Sequence, residues 1–496
     1  MKAIKTSLIF TIFIISLLLS GCSVLGPDFK GTEPQKFPTD WDANKTKKDA
    51  NLEKWWELFH DDTLNTLVSK MYEQNLDLRS AGLRILQARA ALGISQGLTY
   101  PQVQTLSGSL AGVRNAGNSF QTAGVNFDLA WEMDIWGKYA RNIESSEATL
   151  YASVASYNDT LVSLIAEVAR NYINYTTASE RINFAKRNIE LQERVTKMTE
   201  VQFNAGNVSE LDMQQSKTQL YTTRSLLPSL ELAKIKSRNA IAVLLGILPQ
   251  DVDAILKKNK EGSIPEINID NTFKVDASLI QRRPDLQVAE LQAKAQNARI
   301  GSSEAELYPH FSLFGTIGYN TNNAGNNWVS AGDAIGISAG PSFSWNILQY
   351  DRIKNQVRIQ DAKFQESLLN YNKKVFRAIQ EVSNALNGYK LTKEQLQLNA
   401  KTIEATKRAY ELSATQYENG LVTYQRLLST VENLTKTEDS YAIIEGNIAL
   451  EAIALYKALG GGWQIHTSKS YLNEKDKESL KLRGVDWGDY LEAEDE

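Results

Sequence analysis

Two stretches of the chain alternate between apolar and polar side chains. From residue 125 to 134 and again from 335 to 347, every second residue is apolar, and those between are mostly small or polar. A period of two places one kind of side chain on each face of a β-strand. With weaker partner stretches upstream of each, the pattern predicts four strands in a sheet with one apolar and one polar face, at about 101–114, 121–134, 309–320 and 333–347.

A second period predicts two very long helices. Between Trp136 and Asn204 there is no proline, and Gly137 is the only glycine. Apolar residues recur in alternating steps of four and three, which is the heptad spacing of a coiled-coil seam. At 1.5 Å per residue such a helix is about 100 Å long, and rods of this length usually lie against other helices. The seam residues are Leu161, Ile165, Val168, Tyr172 and Tyr175 in the first stretch, and Val375, Ile379, Val382, Leu386 and Tyr389 in the second.

The same arrangement of elements occurs twice in the chain. Residues 201–220 match residues 415–434 at a constant separation of 214 positions, and further upstream the matching separation is 208 positions. We expect the six-residue difference to lie between Asn118 and Val125 of the first copy, in a loop. The chain is therefore predicted to be a tandem duplication of residues 60–245 and 276–459, each copy reading helix, two strands, very long helix, turn and helix.

Each long helix is predicted to end in a tight turn. Gly206 and Gly420 occupy equivalent positions and are suited to stop a helix, because glycine accepts the left-handed backbone conformation. Ser209 and Thr423 follow as expected N-caps of the return helices. The two copies thus supply two helical hairpins.

Composition removes several classes of function. The net charge of −4 gives no reason to expect a nucleic acid partner, and a single cysteine excludes a disulfide framework. The three histidines lie far apart, so no metal-ligand spacing is present. Neither a nucleotide-binding loop nor a nucleophile elbow occurs. We therefore expect no enzyme activity, no catalytic residues, no metal and no cofactor.

The N-terminus has the features of a lipoprotein signal. Lys2 and Lys5 precede a short apolar run, which ends in Leu19-Ser20-Gly21-Cys22. This end resembles a lipobox, so residues 1–21 are interpreted as a signal peptide and Cys22 as the site that carries palmitate. Downstream, no apolar run approaches the roughly 20 residues of a spanning helix. Ser23 stands where inner-membrane lipoproteins often have aspartate, which favours the outer membrane of a Gram-negative cell.

The four strands by themselves leave two possibilities. Strands of about 10 residues with aromatic residues near their ends suit a transmembrane barrel wall, but four strands cannot close a barrel and lipid tolerates no open sheet edge. Either the sheet is soluble, or several chains share one barrel.

The order of several motifs resembles the TolC-like outer-membrane efflux proteins, in their lipoprotein branch associated with RND-type tripartite pumps. The resemblance covers nearly the whole chain after the signal peptide. It rests on Leu19–Cys22, WWELFHDDTLNTLV from Trp55, YPQ from Tyr100, WEMDIWGK from Trp131, RRPDLQVAE from Arg282 and YENGLVTYQRLL from Tyr417.

That resemblance implies a mixed membrane α/β fold. Three copies would share a 12-stranded antiparallel transmembrane β-barrel, which continues into the periplasm as a coiled-coil α-helical barrel. The remaining segments, residues 22–59, 246–275 and 460–496, would form an equatorial region and a peripheral tail. The implied function is the duct of a tripartite efflux system in the outer membrane. Its implied partners are two further copies, outer-membrane lipid, a periplasmic adaptor of the membrane-fusion type and an inner-membrane RND-type transporter.

The resemblance also assigns roles to individual residues. The hairpin tips would dock the adaptor through Gly206, Val208, Gly420, Leu421 and Val422. Relatives narrow the periplasmic gate with acidic residues, and the matching positions here are Arg426 and Ser429, while the first hairpin keeps an acid at Asp212. We hypothesise that Asp212 and Arg426 pair across or between protomers in the closed state; two unrelated solvated charges are the alternative.

Aromatic residues mark the strand–helix junctions. Trp131, Trp136, Trp345 and Tyr350 are interpreted as an interfacial belt, with simple core packing as the alternative. For the whole chain, other readings remain open: a duct for type I secretion, a non-conducting coiled-coil lipoprotein, or a diffusion porin.

Overall fold

The structure is a computed structural model. It describes residues 24–32, 52–115, 117–257, 263–269, 282–325, 327–466 and 470–491. The predicted signal peptide and Cys22 lie outside these described residues, as do parts of the predicted 22–59, 246–275 and 460–496 segments.

Long helices dominate the described residues, and one small sheet accompanies them. The helices are α1 Asp62–Gln74, α2 Leu76–Gly97, α3 Lys138–Asn204, α4 Glu210–Leu245, α5 Pro249–Leu256, α6 Pro284–Ala305, α7 Arg352–Glu418, α8 Tyr424–Ala458 and α9 Glu474–Lys481. The strands are β1 Val103–Asn115, β2 Asn118–Glu132, β3 His310–Asn322 and β4 Ile335–Ser344. Among the described residues no single helix has both the length and the apolar character to cross a membrane; α4 and α5 together do, but they are bent by 103°.

The chain divides into two units by its contacts. Unit one contains the whole sheet, most of α2 and α6, and the first parts of α3 and α7. Unit two contains α1, α4, α5, α8 and α9, the start of α2 and the remainder of α3 and α7. Unit one comprises Met1–Pro34, Arg84–Val154 and Gln287–Lys373, and unit two comprises Gln35–Leu83, Ala155–Leu286 and Lys374–Glu496.

The sheet of unit one is antiparallel throughout, with the strand order β1-β2-β3-β4. Its central pairing joins β2 of the first copy to β3 of the second. Strand β4 tolerates Pro341 because it lies at an edge, where a strand can lack a hydrogen-bond donor. It ends at Ser344, three residues before the apolar–polar alternation does.

The expected position of the length difference between the copies was wrong. The residues from Asn118 to Val125 form the start of β2, and Asn118 pairs with Asn115 across a tight turn. The second copy instead carries a longer loop between β3 and β4, closed by a hydrogen bond from the Asn320 amide to the Ala334 carbonyl (2.8 Å). The rise in separation from 208 to 214 positions already assigns the six extra residues to the second copy, so only the expectation of a loop within residues 118–125 fails.

The core of unit two forms where the long helices meet the N-terminal helices. The predicted seam of α3 is buried there, with Leu161, Ile165 and Tyr172 fully enclosed. Trp55, also fully buried, stacks on Tyr456 of α8 with ring centroids 5.4 Å apart. Burial of such large apolar surfaces is the main stabilising contribution to this unit.

Repeat-equivalent contacts fasten each return helix to the start of its own copy. The Asn75 side chain donates to the Leu244 carbonyl near the end of α4 (2.7 Å). At the matching place, Arg283 donates to the Ala458 carbonyl at the end of α8 (2.8 Å). Helix α6 begins at Pro284, because proline suits the first position of a helix. The contact recurs because unpaired carbonyls at a helix end need donors.

The C-terminal segment is held to unit two by an ion pair. Arg79 of α2 binds both carboxylate oxygens of Asp476, at 2.9 and 2.6 Å, and Asn473 caps the short helix α9. Gly82 allows this segment to approach closely, because an added Cβ there would collide with the Tyr471 carbonyl.

Candidate functional site

The sheet presents one continuous apolar face. Leu106, Phe127, Ile317 and Ile337 are paired neighbours across all four strands, and each is 40% or more exposed in the single chain. The adjacent register row, on the opposite face, consists of the polar residues Thr105, Asp128, Thr316 and Ser338. The predicted alternation is therefore confirmed. In the described residues, β1 and β4 each have one unpaired edge.

The two hairpin tips share one backbone geometry. Gly206 and Gly420 have φ angles of 77° and 69°, in the left-handed region that favours glycine. The amide after each glycine donates back across the turn, from Asn207 to the Gln202 carbonyl (2.9 Å) and from Leu421 to the Gln416 carbonyl (2.8 Å). Both glycines stop a helix, as predicted.

The caps that follow these turns differ. Ser209 and Asp212 form a reciprocal capping box, in which the Asp212 amide donates to the Ser209 hydroxyl and the Ser209 amide donates to the Asp212 carboxylate (3.3 and 3.1 Å). Thr423 occupies the N-cap position of α8 without a side-chain cap hydrogen bond. The third residue of α8 is Arg426, which has no acceptor for a reciprocal bond.

The gate residues expected from the sequence lie near these tips. Asp212 is half-buried and committed to its cap, whereas Arg426 and Ser429 are exposed on α8. An ion pair between Asp212 of one chain and Arg426 of a neighbouring chain stays a prediction, because a single chain shows no contacts between chains.

The expected docking residues line a cleft of ≈ 870 Å³ between the tips. The Leu421 side chain is 74% exposed. Val208 and Val422 instead pack partly against a buried cluster that includes Tyr417 and Tyr424. Burial raises the pKa of the Tyr424 phenol, with smaller contributions from nearby charges, so this group stays neutral. The tips therefore have a buried base, and they expose the glycine backbone together with two leucines, Leu211 (65% exposed) and Leu421, and polar side chains such as Asn207 and Asn419.

Aromatic residues at the strand–helix junctions make repeated contacts. The Trp131 indole donates to the Thr99 carbonyl and the Trp345 indole donates to the Leu307 carbonyl, both at 3.0 Å. Trp136 donates to the Pro309 carbonyl (2.8 Å) and is half-buried. The last of the four predicted belt residues, Tyr350, is 89% exposed.

Polar contacts between the two copies were missed by the sequence reasoning. Asn188 of α3 donates to the buried Glu438 carboxylate of α8 (2.8 Å). Two turns away along α3, Arg181 binds Asp439 through two nitrogens, at 2.7 and 3.0 Å. The available signal was a polar continuation of the buried stripe of α3, at Asn188, Gln192, Thr196 and Thr199.

The family follows from a comparison with known proteins. The model of the family described as "Outer membrane efflux protein" matches residues 67–247 and 277–461. The chain belongs to the outer membrane efflux protein family. Its resemblance to efflux proteins is thereby confirmed, and so are its assignment to the outer membrane and its general role in efflux.

Individual relatives agree with this assignment. Nodulation protein T of Rhizobium leguminosarum bv. trifolii is 29% identical over 408 residues, which cover 80% of this chain and 84% of the relative. The toluene efflux pump outer membrane protein TtgC of Pseudomonas putida is 27% identical over 490 residues, covering 94% and 98%. The solved outer-membrane channel OprN has a TM-score of 0.79 at 29% identity, covering 89% of this chain and all of that one.

Proposed function

We propose that three copies of this chain form the outer-membrane duct of a tripartite efflux system. The four strands of each chain contribute to one 12-stranded transmembrane barrel, and the long helices contribute to a helical barrel in the periplasm. A periplasmic adaptor and an inner-membrane RND-type transporter supply cargo and energy, and the duct conducts passively. A lipid on Cys22 anchors each copy.

The open edges of the sheet are the observation that carries this proposal. Strands β1 and β4 each pair on one side only within the described residues, while Leu106, Ile337 and Phe343 expose more than 70% of their surface. An apolar face suits lipid, but an unpaired edge in lipid leaves backbone groups without partners at a cost of several kcal/mol each. Pairing β1 of one chain with β4 of the next chain gives the backbone groups of both edges hydrogen-bond partners. Three copies close the ring.

The exposed faces of the long helices support the same assembly. On α7, large apolar residues recur at heptad-like intervals and remain exposed in the single chain: Leu369, Phe376, Leu391, Leu398 and Leu412. On α4, Tyr221, Leu232 and Val243 recur every eleven residues and are likewise exposed. Periods of seven and eleven are those of helices that pack along their length against others. Neighbouring copies are the proposed partners of these faces.

We place the membrane boundary at the base of the sheet. Four aromatic residues lie at strand ends or just after them, and each combines an apolar ring with a polar group, as belt residues do: Trp131, Trp136, Trp345 and Tyr350. In this proposal the hairpin tips lie in the periplasm. Their exposed glycines and Leu421 dock the adaptor, and Asp212, Arg426 and Ser429 surround the gate.

A duct for type I secretion uses the same architecture and differs in its transporter. A non-conducting coiled-coil lipoprotein is the contrasting function, because it needs neither a closed sheet nor a trimer. The name of the relative from Pseudomonas putida specifies toluene. For this chain we assign cargo selection chiefly to the transporter.

The test combines oligomeric mass in detergent with single-channel conductance in planar bilayers. We expect three times the mass of the chain without its signal peptide, which is below the 55.4 kDa of all 496 residues, and small, flickering currents. Leu391→Glu is expected to abolish the trimer, because it places a charge in the proposed seam. Gln397→Glu adds the same charge at an exposed position of α7 about a third of a turn round the helix from Leu391, and is the matched control. A wild-type monomer without conductance would favour the coiled-coil lipoprotein.

A further inference from the structure

The segment that follows the predicted lipidation site lies in a fitted groove of unit one. This strap, residues 24–32, presents three successive carbonyls to buried side chains. Arg141 donates to the carbonyls of Leu25 and Gly26 (2.9 and 3.0 Å), and Asn297 donates to that of Pro27 (2.6 Å). Arg141 and Asn297 are only 4% and 2% exposed.

The guanidinium of Arg141 is shared between the strap and its own helix. It also binds Asp28 of the strap at 2.9 Å and Glu144 of α3 at 2.7 Å. If the strap left, Arg141 would lose three of its four acceptors and would keep only Glu144. The side chain of Arg141 is therefore satisfied chiefly by the presence of the strap.

Glycines make the space in which the strap lies. A Cβ added to Gly137 would come within 2.8 Å of the Val24 Cα, and one added to Gly301 would collide with the Leu25 carbonyl. Gly26 itself has a φ of 85° and faces Gly301. The groove admits this backbone because side chains are missing at these points.

A comparison of the two repeats distinguishes residues that bind the strap from residues that both repeats need in order to fold. Arg141 and Gly137 correspond to Asn355 and Asp351 of the second copy. Asn355 is exposed, and its position bears no comparable clamp. A residue needed only to form the shared strand–helix junction is expected in both copies, whereas these two occur where the strap lies.

We propose that Arg141, Asn297 and the glycine floor form a receptor groove for the segment behind the lipidated cysteine, and that this groove fixes where the lipid enters the membrane. The inference rests on the proposed lipid anchor. Leu25 donates its amide to the Trp136 carbonyl (3.1 Å), and three residues of chain reach at most about 10 Å. A lipid on Cys22 is thereby kept beside the base of the sheet.

The test measures cleavage after Lys30 by a lysine-specific protease in the full-length protein in detergent. Lys30 is exposed, but the protease needs the strap to leave the groove, so the rate reports how often it is open. Arg141→Ala is expected to raise the rate of appearance of the new N-terminus at Gly31 at least tenfold. Asn355→Ala, the equivalent change in the second copy, is the control and is expected to leave the rate unchanged.

A second variant guards against misfolding of the groove. Gly26→Val changes only the strap, leaves Arg141 intact, and is expected to raise the rate similarly with oligomeric mass unchanged. Wild-type cleavage rates in both variants would overturn the groove. Incorporation of labelled palmitate is measured on the same samples. If the wild-type protein incorporates none, the assignment of a lipid to Cys22 fails. The cleavage rates test separately whether the groove binds the strap.

Discussion

The unequal caps of the two hairpin tips allow a quantitative prediction. Asp212 completes a capping box with Ser209 at the start of α4, but Arg426 leaves the start of α8 without one. We expect Asp212→Ala to loosen the first turn of α4. Arg426→Ala, at the repeat-equivalent position, is expected to leave the first turn of α8 nearly as it was.

The magnitude follows from the bonds that each change removes. Asp212→Ala deletes acceptors for the Ser209 amide (3.1 Å) and hydroxyl (2.8 Å). Loss of a cap typically costs about 1 kcal/mol, and loss of a carboxylate from the first turn adds about 0.3–1 kcal/mol through the helix dipole. A total of about 1.5 kcal/mol corresponds to a change of roughly tenfold in a local equilibrium. Arg426 is expected to contribute no cap bond to remove.

Hydrogen exchange of the intact protein in detergent, followed by mass spectrometry, provides the assay. Peptides covering residues 209–213 are expected to exchange roughly tenfold faster in Asp212→Ala, because the first turn opens more often. Peptides covering residues 423–427 serve as the internal reference and change less than about twofold in either variant. Equal acceleration at both tips, or none at residues 209–213, would refute the capping argument.

The same two variants separate capping from gating. If Asp212 and Arg426 pair between chains in the closed duct, both substitutions increase single-channel conductance, although only Asp212→Ala loosens a tip. If conductance rises in Asp212→Ala alone, the increase is explained by the lost capping box, and the ion pair between chains is contradicted.

Three further predictions concern unit two. Burial, and then the charges of neighbouring glutamates, raise the pKa of the Glu445 carboxyl to about 7. The contribution of this carboxyl to stability is therefore full below its ordinary pKa of 4.5 and is lost as pH rises through 7. Glu445→Gln is expected to reduce the fall in melting temperature between about pH 5 and pH 8, measured by scanning fluorimetry. Arg283→Met leaves two partly exposed carboxylates and the Ala458 carbonyl without their donor, and is expected to cost about 1–3 kcal/mol in denaturant unfolding. Trp55→Ala removes the ring stacked on Tyr456, with an expected loss of about 3–5 kcal/mol by the same measurement.

Patterns among residues close together in the sequence predicted much of the fold. The heptad spacing of α3 predicted buried residues such as Leu161 and Ile165, because a 3.6-residue period fixes which side chains share a helix face. The apolar–polar alternation predicted the two faces of the sheet for the corresponding reason. Glycines at 206 and 420 predicted turns because their backbone conformation is costly for other residues.

The partners of individual side chains depended on distant parts of the chain. Thr423 has a residue type typical of an N-cap, yet its side chain forms no cap hydrogen bond, and its third neighbour is Arg426 where the first copy has Asp212. The indole of Trp136 donates to the Pro309 carbonyl of the second repeat, a partner that the position of Trp136 in the sequence did not indicate. Local sequence does not contain the atom at the far end of such a bond.

The sequence by itself determined the duplication, the order of helices and strands, the turns and the apolar faces, since each depends on residues close together in the chain. Only the tertiary structure decided that Asn188 meets Glu438 and that Arg141 holds the strap. These two contacts join residues 250 and 116 positions apart. Their partners are chosen by the packing of whole helices, which no local period records.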